Sequence, residues 1–160
     1  SDEITEYPLI KLSRSNKNAI TQFKESGNGV LFASGSMWEG VDCAGDILSS
    51  VIIVRLPFPL RTQAMEFKKK SCASMQEFVQ KFAVPQMIIK LRQGAGRLIR
   101  TESDTGILAI LDARASSRGN HRNRVLKALH KYPLTYSIEE VASFIDSVKD
   151  EAYKKEVPQA

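Results

Sequence analysis

A chain of 160 residues with 42% hydrophobic and 26% charged composition is long enough to bury one real core. It contains no apolar run near the roughly 18 residues a membrane span needs, and no signal peptide opens it. A net charge of +5 favours an anionic partner, nucleotide or nucleic acid. Cys43 and Cys72 lack metal-ligand spacing and cannot form a four-thiolate site, so they read as unbridged thiols of a cytosolic protein.

In chain order, Tyr7 to Leu12 reads as a short strand, with Pro8 confining it to an edge or a strand start. Ser15 to Glu25 follows as a helix with Ile20 and Phe23 inward, ended by Gly27. Val30 to Ala33 is a short buried strand, and Ser34 to Gly45 a loop rich in glycine and small residues. Ile47 to Leu56 is the strongest strand, β-branched and continuous, closed by Pro57-Phe58-Pro59.

Arg61 to Ser71 is expected to be helical, with Lys68, Lys69 and Lys70 near the end where positive charge suits the helix dipole. Val84 to Arg100 is expected to be a long helix, with Pro85 tolerated in its first turn. Its inward stripe is Val84, Met87, Ile88, Leu91, Ala95, Leu98 and Ile99, at spacings of three and four. Gly106 to Asp112 is another buried strand, ending in an acid. Asn120 to Leu129 is a helix with Val125, Leu126 and Leu129 inward, and both histidines, His121 and His130, read as surface residues in or beside it. Ser137 to Glu140 forms a capping box that opens a last helix to Lys154 or Lys155, with Val141, Phe144, Ile145 and Val148 as its core stripe. Alternating strands and helices, with continuous apolar strands, imply one α/β domain built on a parallel sheet covered on both faces.

Two constellations carry chemistry. Gln93, Arg97 and Arg100 stand at i, i+4 and i+7 of the long helix, so they project together. Two permanently charged guanidinium forks and an amide suit a phosphate-rich ligand, although a solvated basic face would account for the same pattern. Ser34-Gly35-Ser36-Met37-Trp38-Glu39-Gly40-Val41-Asp42 follows a strand directly, the position where parallel α/β sheets bind ligands. Its amides and hydroxyls could hold phosphate oxygens. Equally, it could be a structural loop with Asp42 capping a turn and Trp38 packed on the core.

Taken in order, Trp-Glu-Gly-Val-Asp, a strand ending Arg-Leu-Pro-Phe-Pro, Gln-Gly-Ala-Gly-Arg-Leu-Ile-Arg, and Ile-Leu-Ala-Ile-Leu-Asp-Ala-Arg closely resemble the carboxyl-terminal helicase domain of the DinG branch of the DinG/XPD-like superfamily 2 helicases. The resemblance runs from about Leu9 to Ile145. It implies a RecA-like α/β fold, a parallel sheet flanked by helices in a P-loop NTPase-type second motor domain without its own P-loop. Residues 1–156 would form that domain and 157–160 a frayed tail.

By the same resemblance Ser34, Gly40 and Asp42 correspond to motif V, and Gln93, Gly96, Arg97 and Arg100 to motif VI. Arg97 and Arg100 would then be the catalytic pair, one acting as arginine finger and the other sensing nucleotide, with the assignment between them open. Gly40, Asp42, Gln93 and Gly96 would bind ATP. Ser34 would bond a DNA phosphate, and Lys68, Lys69, Lys70, Arg118 and Arg122 are candidates for a DNA track whose alternative is ordinary solvated surface. Glu39 resembles a family acid without an assigned role.

No Gly-x-x-x-x-Gly-Lys-[Ser/Thr] loop occurs, and Asp150-Glu151-Ala152-Tyr153 is read as an accidental likeness to a metal-holding box, placed within the last helix. The implied cofactors are ATP and magnesium, the metal held mainly by a first RecA-like domain of the same parent chain; an iron–sulfur cluster in that parent is left open. The implied partners are that domain, ATP and single-stranded DNA, in a bacterial cytoplasm at the nucleoid. The family's first strand of this domain is expected to be absent or to precede Ser1, making the chain an excised motor domain that is inactive alone.

The parent would be a DNA-dependent ATPase of 5′-to-3′ polarity acting in repair or replication. Its alternatives are a DinG-type exonuclease in which the motor senses nucleotide or handles DNA, a noncatalytic nucleic-acid-binding module, and a metabolic α/β enzyme with a phosphate site.

Overall fold

A computed structural model describes residues 7–13, 15–34, 43, 47–101 and 104–149. The α/β expectation holds, with strands pairing in parallel and helices flanking them. Strand β1 (Leu9–Lys11) pairs with β2 (Val30–Phe32) through helix α1 (Ala19–Ser26). Pro8 stands at the start of β1, where it needs no donor, and its carbonyl accepts the Val30 N–H at 2.8 Å. Helix α1 begins later than its hydrophobic pattern implies. Ser13, Ser15 and Asn16 bond one another, and the Asn16 amide reaches back to the Lys11 carbonyl, a local alternative to helical hydrogen bonding. Gly27 ends the helix at φ 70°, a left-handed conformation that costs glycine little. Ile10, Ala19, Phe23 and Cys43 form the small core of this half, and neither Cys43 nor the half-buried Cys72 is in a disulfide.

The second parallel pair joins β3 (Ser50–Ile53) to β4 (Ile107–Ile110), in register from Ser50 opposite Ile107 to Ile53 opposite Ile110. Between them lie α2 (Gln63–Lys70), α3 (Met75–Phe78), a π turn (Val79–Ala83) and α4 (Val84–Leu98). Thr62 caps α2 by accepting the Met65 N–H. Helix α3 has no counterpart among the expected elements, although Ser74-x-x-Glu77 is a capping box in the chain. Ser74 Oγ accepts the Glu77 N–H at 3.1 Å, and the Glu77 carboxylate accepts the Ala73 N–H at 2.7 Å and pairs with Lys81.

The π turn runs into Pro85, which has no N–H to give and whose ring would crowd the carbonyl four residues back in a regular helix. A turn widened to i→i+5 bonding, with Val84 N–H donating to the Val79 carbonyl, absorbs that conflict without breaking the rod.

Helix α4 organises the main core. Val84, Met87, Leu91, Ala95 and Leu98 are buried as their spacing predicts, and Met87 and Leu91 are wholly so. Val84, Met87 and Leu91 pack with Ile53, Leu56 and Val125, the last on helix α5 (Arg122–Ala128). Burying each such side chain contributes about 1.5–3 kcal/mol, which is why α4 forms despite Gly94 and Gly96.

Two expectations fail at the periphery. Among the described residues the strands form two parallel pairs, and the second face of β3–β4 is covered only in part: Ile53 is buried beneath α4, while Ile52 on the opposite face is 63% exposed. Helix α6 (Ile138–Val148) buries none of its residues; its stripe lies shallowly beside Ser49, Ser50, Gly106 and Ile107, leaving Phe144 and Val148 partly exposed. Its capping box forms through Ser137 Oγ, which accepts the Glu140 N–H, while Glu140 itself takes the Thr135 hydroxyl. The helix also stops short of the expected end, because Lys149 is extended at φ −105°, ψ 138°. Asp150 to Tyr153 and the expected tail lie outside the described residues.

Candidate nucleotide and nucleic-acid site

The helix end that carries Arg97 differs from its expected form. Helix α4 stops at Leu98, and Ile99 is extended at φ −113°, ψ 106°. Gln93 and Arg97 therefore share a helical face, but Arg100 lies in the loop beyond and cannot be placed by the i+7 count. Local bonding within that loop holds its backbone instead. One oxygen of Asp104 accepts the backbone N–H groups of both Arg100 and Thr101, each at 2.8 Å. Those two bonds hold the Asp104 carboxyl below its ordinary range.

Arg97 is half-buried in the last turn of α4, where its charge complements the helix dipole; Arg100 and Gln93 are exposed. A Cβ added to Gly96 would meet nothing within 4 Å, so packing among the described residues does not require glycine there.

The other candidates lie on separate elements. Ser34 is exposed just past the carboxyl end of β2. Gly40 and Asp42, with Trp38 and Glu39, lie outside the described residues. On α2, Lys69 and Lys70 are exposed, whereas the Lys68 ammonium sits over the Phe82 ring at 5.3 Å from its centroid, an attraction that already occupies it. Arg118 is exposed in the turn before α5; Arg122 opens that helix half-buried, with its Nε buried and without a hydrogen-bond partner among the described residues.

The amino-acid order assigns no role to the cluster where β3 and β4 end. The Asp112 carboxylate accepts the Leu56 N–H at 2.8 Å and holds the Arg114 guanidinium two-pronged, with Nη2 at 2.6 Å and Nε at 2.9 Å. The Arg114 pairing, with the Leu56 bond behind it, holds the Asp112 carboxyl far below the usual carboxylate range. Arg114 lies over the Phe58 ring at 4.8 Å, and Phe58 packs against His121 with ring centroids 5.2 Å apart. The signal was an acid at a strand end followed two residues later by arginine, but its partner Leu56 stands 56 positions upstream.

His121 is a correction. It is buried, only 8% exposed, and its Nδ1 lacks a hydrogen-bond partner among the described residues, whereas His130 is exposed as expected. Burial, then the nearby Arg124 and Arg114 charges, lower its pKa, with Asp112 opposing. The folded state then binds fewer protons than the unfolded chain. His121 therefore contributes stability that is complete above the ordinary histidine range near pH 6.5 and is lost as pH falls through the lower folded value. Urea midpoints of the chain should fall between pH 6.5 and 5, and His121→Phe should flatten that slope; an unchanged slope would mean that His121 is not its source.

The parallel strands, flanking helices and arginine-bearing helix end together define an α/β domain with a cationic end. A family model described as the helicase C-terminal domain matches residues 3–132, and the chain belongs to that family. It is 37% identical over 142 residues to the ATP-dependent DNA helicase YoaA of Escherichia coli, covering 86% of this chain and 22% of that protein. It is 38% identical over 105 residues to the 3′-5′ exonuclease DinG of Bacillus subtilis, covering 62% of this chain and 11% of that protein. Against the ATP-dependent DNA helicase DinG of Photobacterium profundum it is 38% identical over 99 residues, covering 59% of this chain and 14% of that protein. The chain thus spans about a fifth or less of the length of these relatives. Among the described residues no helix is long and apolar enough to cross a membrane.

Proposed function

We propose that this chain is the second motor domain of an ATP-dependent DNA helicase, and that Arg97 and Arg100 enter the nucleotide cleft when it closes on a first RecA-like domain of the same parent. The supporting observation is the end of α4. The helix that carries the buried stripe also carries Gln93 and Arg97, and Asp104 holds the backbone on which Arg100 sits. Domain position is thereby converted into guanidinium position. Phosphoryl transfer to water spreads negative charge over the transferred group, and a guanidinium delivered only on closure stabilises that charge selectively.

Gly40 and Asp42 would line the nucleotide side, Ser34 the strand, and Lys69, Lys70, Arg118 and Arg122 the DNA track, with Lys68 contributing only if it leaves Phe82. By the resemblance, magnesium would be held mainly by the first RecA-like domain of the parent. The purified 160-residue chain should accordingly show no appreciable ATP turnover. The testing measurement is ATP hydrolysis by the full-length parent with and without single-stranded DNA; absence of stimulation would refute the motor reading.

The open surface at Gly96 gives a sharper test. Gly96→Ala should stabilise α4 by about 0.5–1 kcal/mol, because alanine is the better helix former and meets no clash. If nucleotide or the first domain approaches closely there, the same change should lower DNA-stimulated turnover at least tenfold. Higher stability with full turnover would show that nothing closes on Gly96.

The exonuclease name carried by some relatives supports a second reading, in which the motor fold senses nucleotide or handles DNA for a nuclease elsewhere in the parent. Strand displacement by the full protein with any nuclease acids disabled separates the two, since only a helicase retains it. The polarity, by resemblance 5′-to-3′, follows from the same assay with opposite overhangs.

A further inference from the structure

A cleft of about 380 Å³ opens at the carboxyl ends of β3 and β4, lined by Val54, Arg55, Leu111, Asp112, Ala113 and Arg114. One wall is fixed. Asp112 ties the Leu56 N–H to the Arg114 guanidinium, and Arg114 is backed by Phe58. A Cβ at Gly119 would collide with the Arg114 carbonyl oxygen, so the turn behind that wall closes tightly. The pair is internally neutral, and Asp112 therefore places no uncompensated negative charge in the cleft.

The other wall is open. Arg55 is exposed, with no ion-pair or hydrogen-bond partner among the described residues. It stands beside Val54 and Leu111, which are 64% and 65% exposed although they continue β-branched and aliphatic strand segments. A guanidinium without a partner among the described residues, next to bare apolar surface at the end of a parallel sheet where ligands bind, fits an anion with an apolar body. Sites for small molecules bury most of their ligand; a trough edged by exposed residues instead suits a chain passing through.

We propose that this cleft holds one nucleotide unit of a single strand, with Arg55 bonding a phosphodiester oxygen and Val54 and Leu111 supporting the sugar and base. The inference rests on the DNA-motor reading above and adds to it a contact outside the motif V and VI positions and outside the lysine and α5 candidates. Arg114 is a positioning residue in this arrangement, holding the wall rather than the strand.

The test is fluorescence anisotropy of the full-length parent with a labelled oligothymidylate, measured across a salt series. Arg55→Gln should weaken binding about 3–10-fold and reduce the slope of log affinity against log salt by about 0.7, the value for one phosphate contact on a single strand. Arg55→Lys should recover part of the loss. Leu111→Asp, which adds a carboxylate opposite Arg55, should weaken binding by at least as much. Lys24→Gln, the same charge change on the exposed face of α1, should leave affinity within twofold.

Wild-type affinity and slope for Arg55→Gln, or an equal loss for Lys24→Gln, would overturn the cleft assignment while leaving the motor reading intact. Failure of the wild-type parent to bind the oligonucleotide would remove both.

Discussion

Arg97→Ala or Arg100→Ala in the full-length parent should reduce DNA-stimulated ATP hydrolysis about a thousandfold or more while ATP still binds. Guanidiniums that meet the transferred phosphate only in the closed state contribute roughly 10³–10⁵ in rate in other phosphoryl-transfer systems. Because that interaction forms in the transition state, kcat should fall much further than nucleotide affinity. Lysine should rescue poorly at either position, since an ammonium cannot present the paired donors of a guanidinium.

The two arginines should differ in one respect. Arg97 is fixed by its place on α4, whereas Arg100 depends on the loop that Asp104 ties. Asp104→Ala should therefore mimic a partial loss of Arg100 and leave Arg97 in place. Unchanged turnover in both arginine variants would make these residues surface charge and remove the central assignment.

Leu91→Ala should destabilise the chain by about 2–5 kcal/mol, seen as a lower urea midpoint with an unaltered slope. Leu91 is wholly buried among Ile53, Leu56, Val84, Met87 and Val125, so truncation leaves a cavity that strands on one side and α5 on the other cannot close. A loss of this size is a large share of the stability of a small domain. It should also reach the site, because α4 is the rod that carries Gln93 and Arg97. Ile52→Ala should cost under about 0.5 kcal/mol by comparison, since that side chain faces outward. Similar losses for the two would mean that the core is not organised around α4.

Local pattern accounts for the parts of the fold that are legible in the amino-acid order. The three- and four-residue spacing of Val84, Met87, Leu91, Ala95 and Leu98 specifies a helix and its buried face, because burial selects one side of a 3.6-residue turn. The β-branched run around Val51 to Ile53, Gly27 at a helix end and Ser137 at a helix start are likewise short-range signals. The order of the motif residues was enough to name a family, which the match over residues 3–132 bears out.

Where pattern failed, a competing bond or a missing neighbour decided. The phase count carried α4 on to Arg100, but the Asp104 carboxylate captures the backbone there, and Ile99 leaves the helix. Apolar spacing made a core stripe of α6, yet only the shallow edge beside Ser50 and Ile107 receives it among the described residues.

Residue order alone suffices for the parallel α/β class, the α4 core and the family, since each depends on residues within a few turns or on their succession. Neighbours in space settle that Asp112 joins Leu56 to Arg114, that His121 is buried against Phe58, that Lys68 rests on Phe82, and that Arg55 is left facing an open cleft. Those outcomes depend on which strand ends and helices meet across tens of residues of chain. A hydrogen bond or ring contact acts over a few ångströms of space, whatever the separation in sequence.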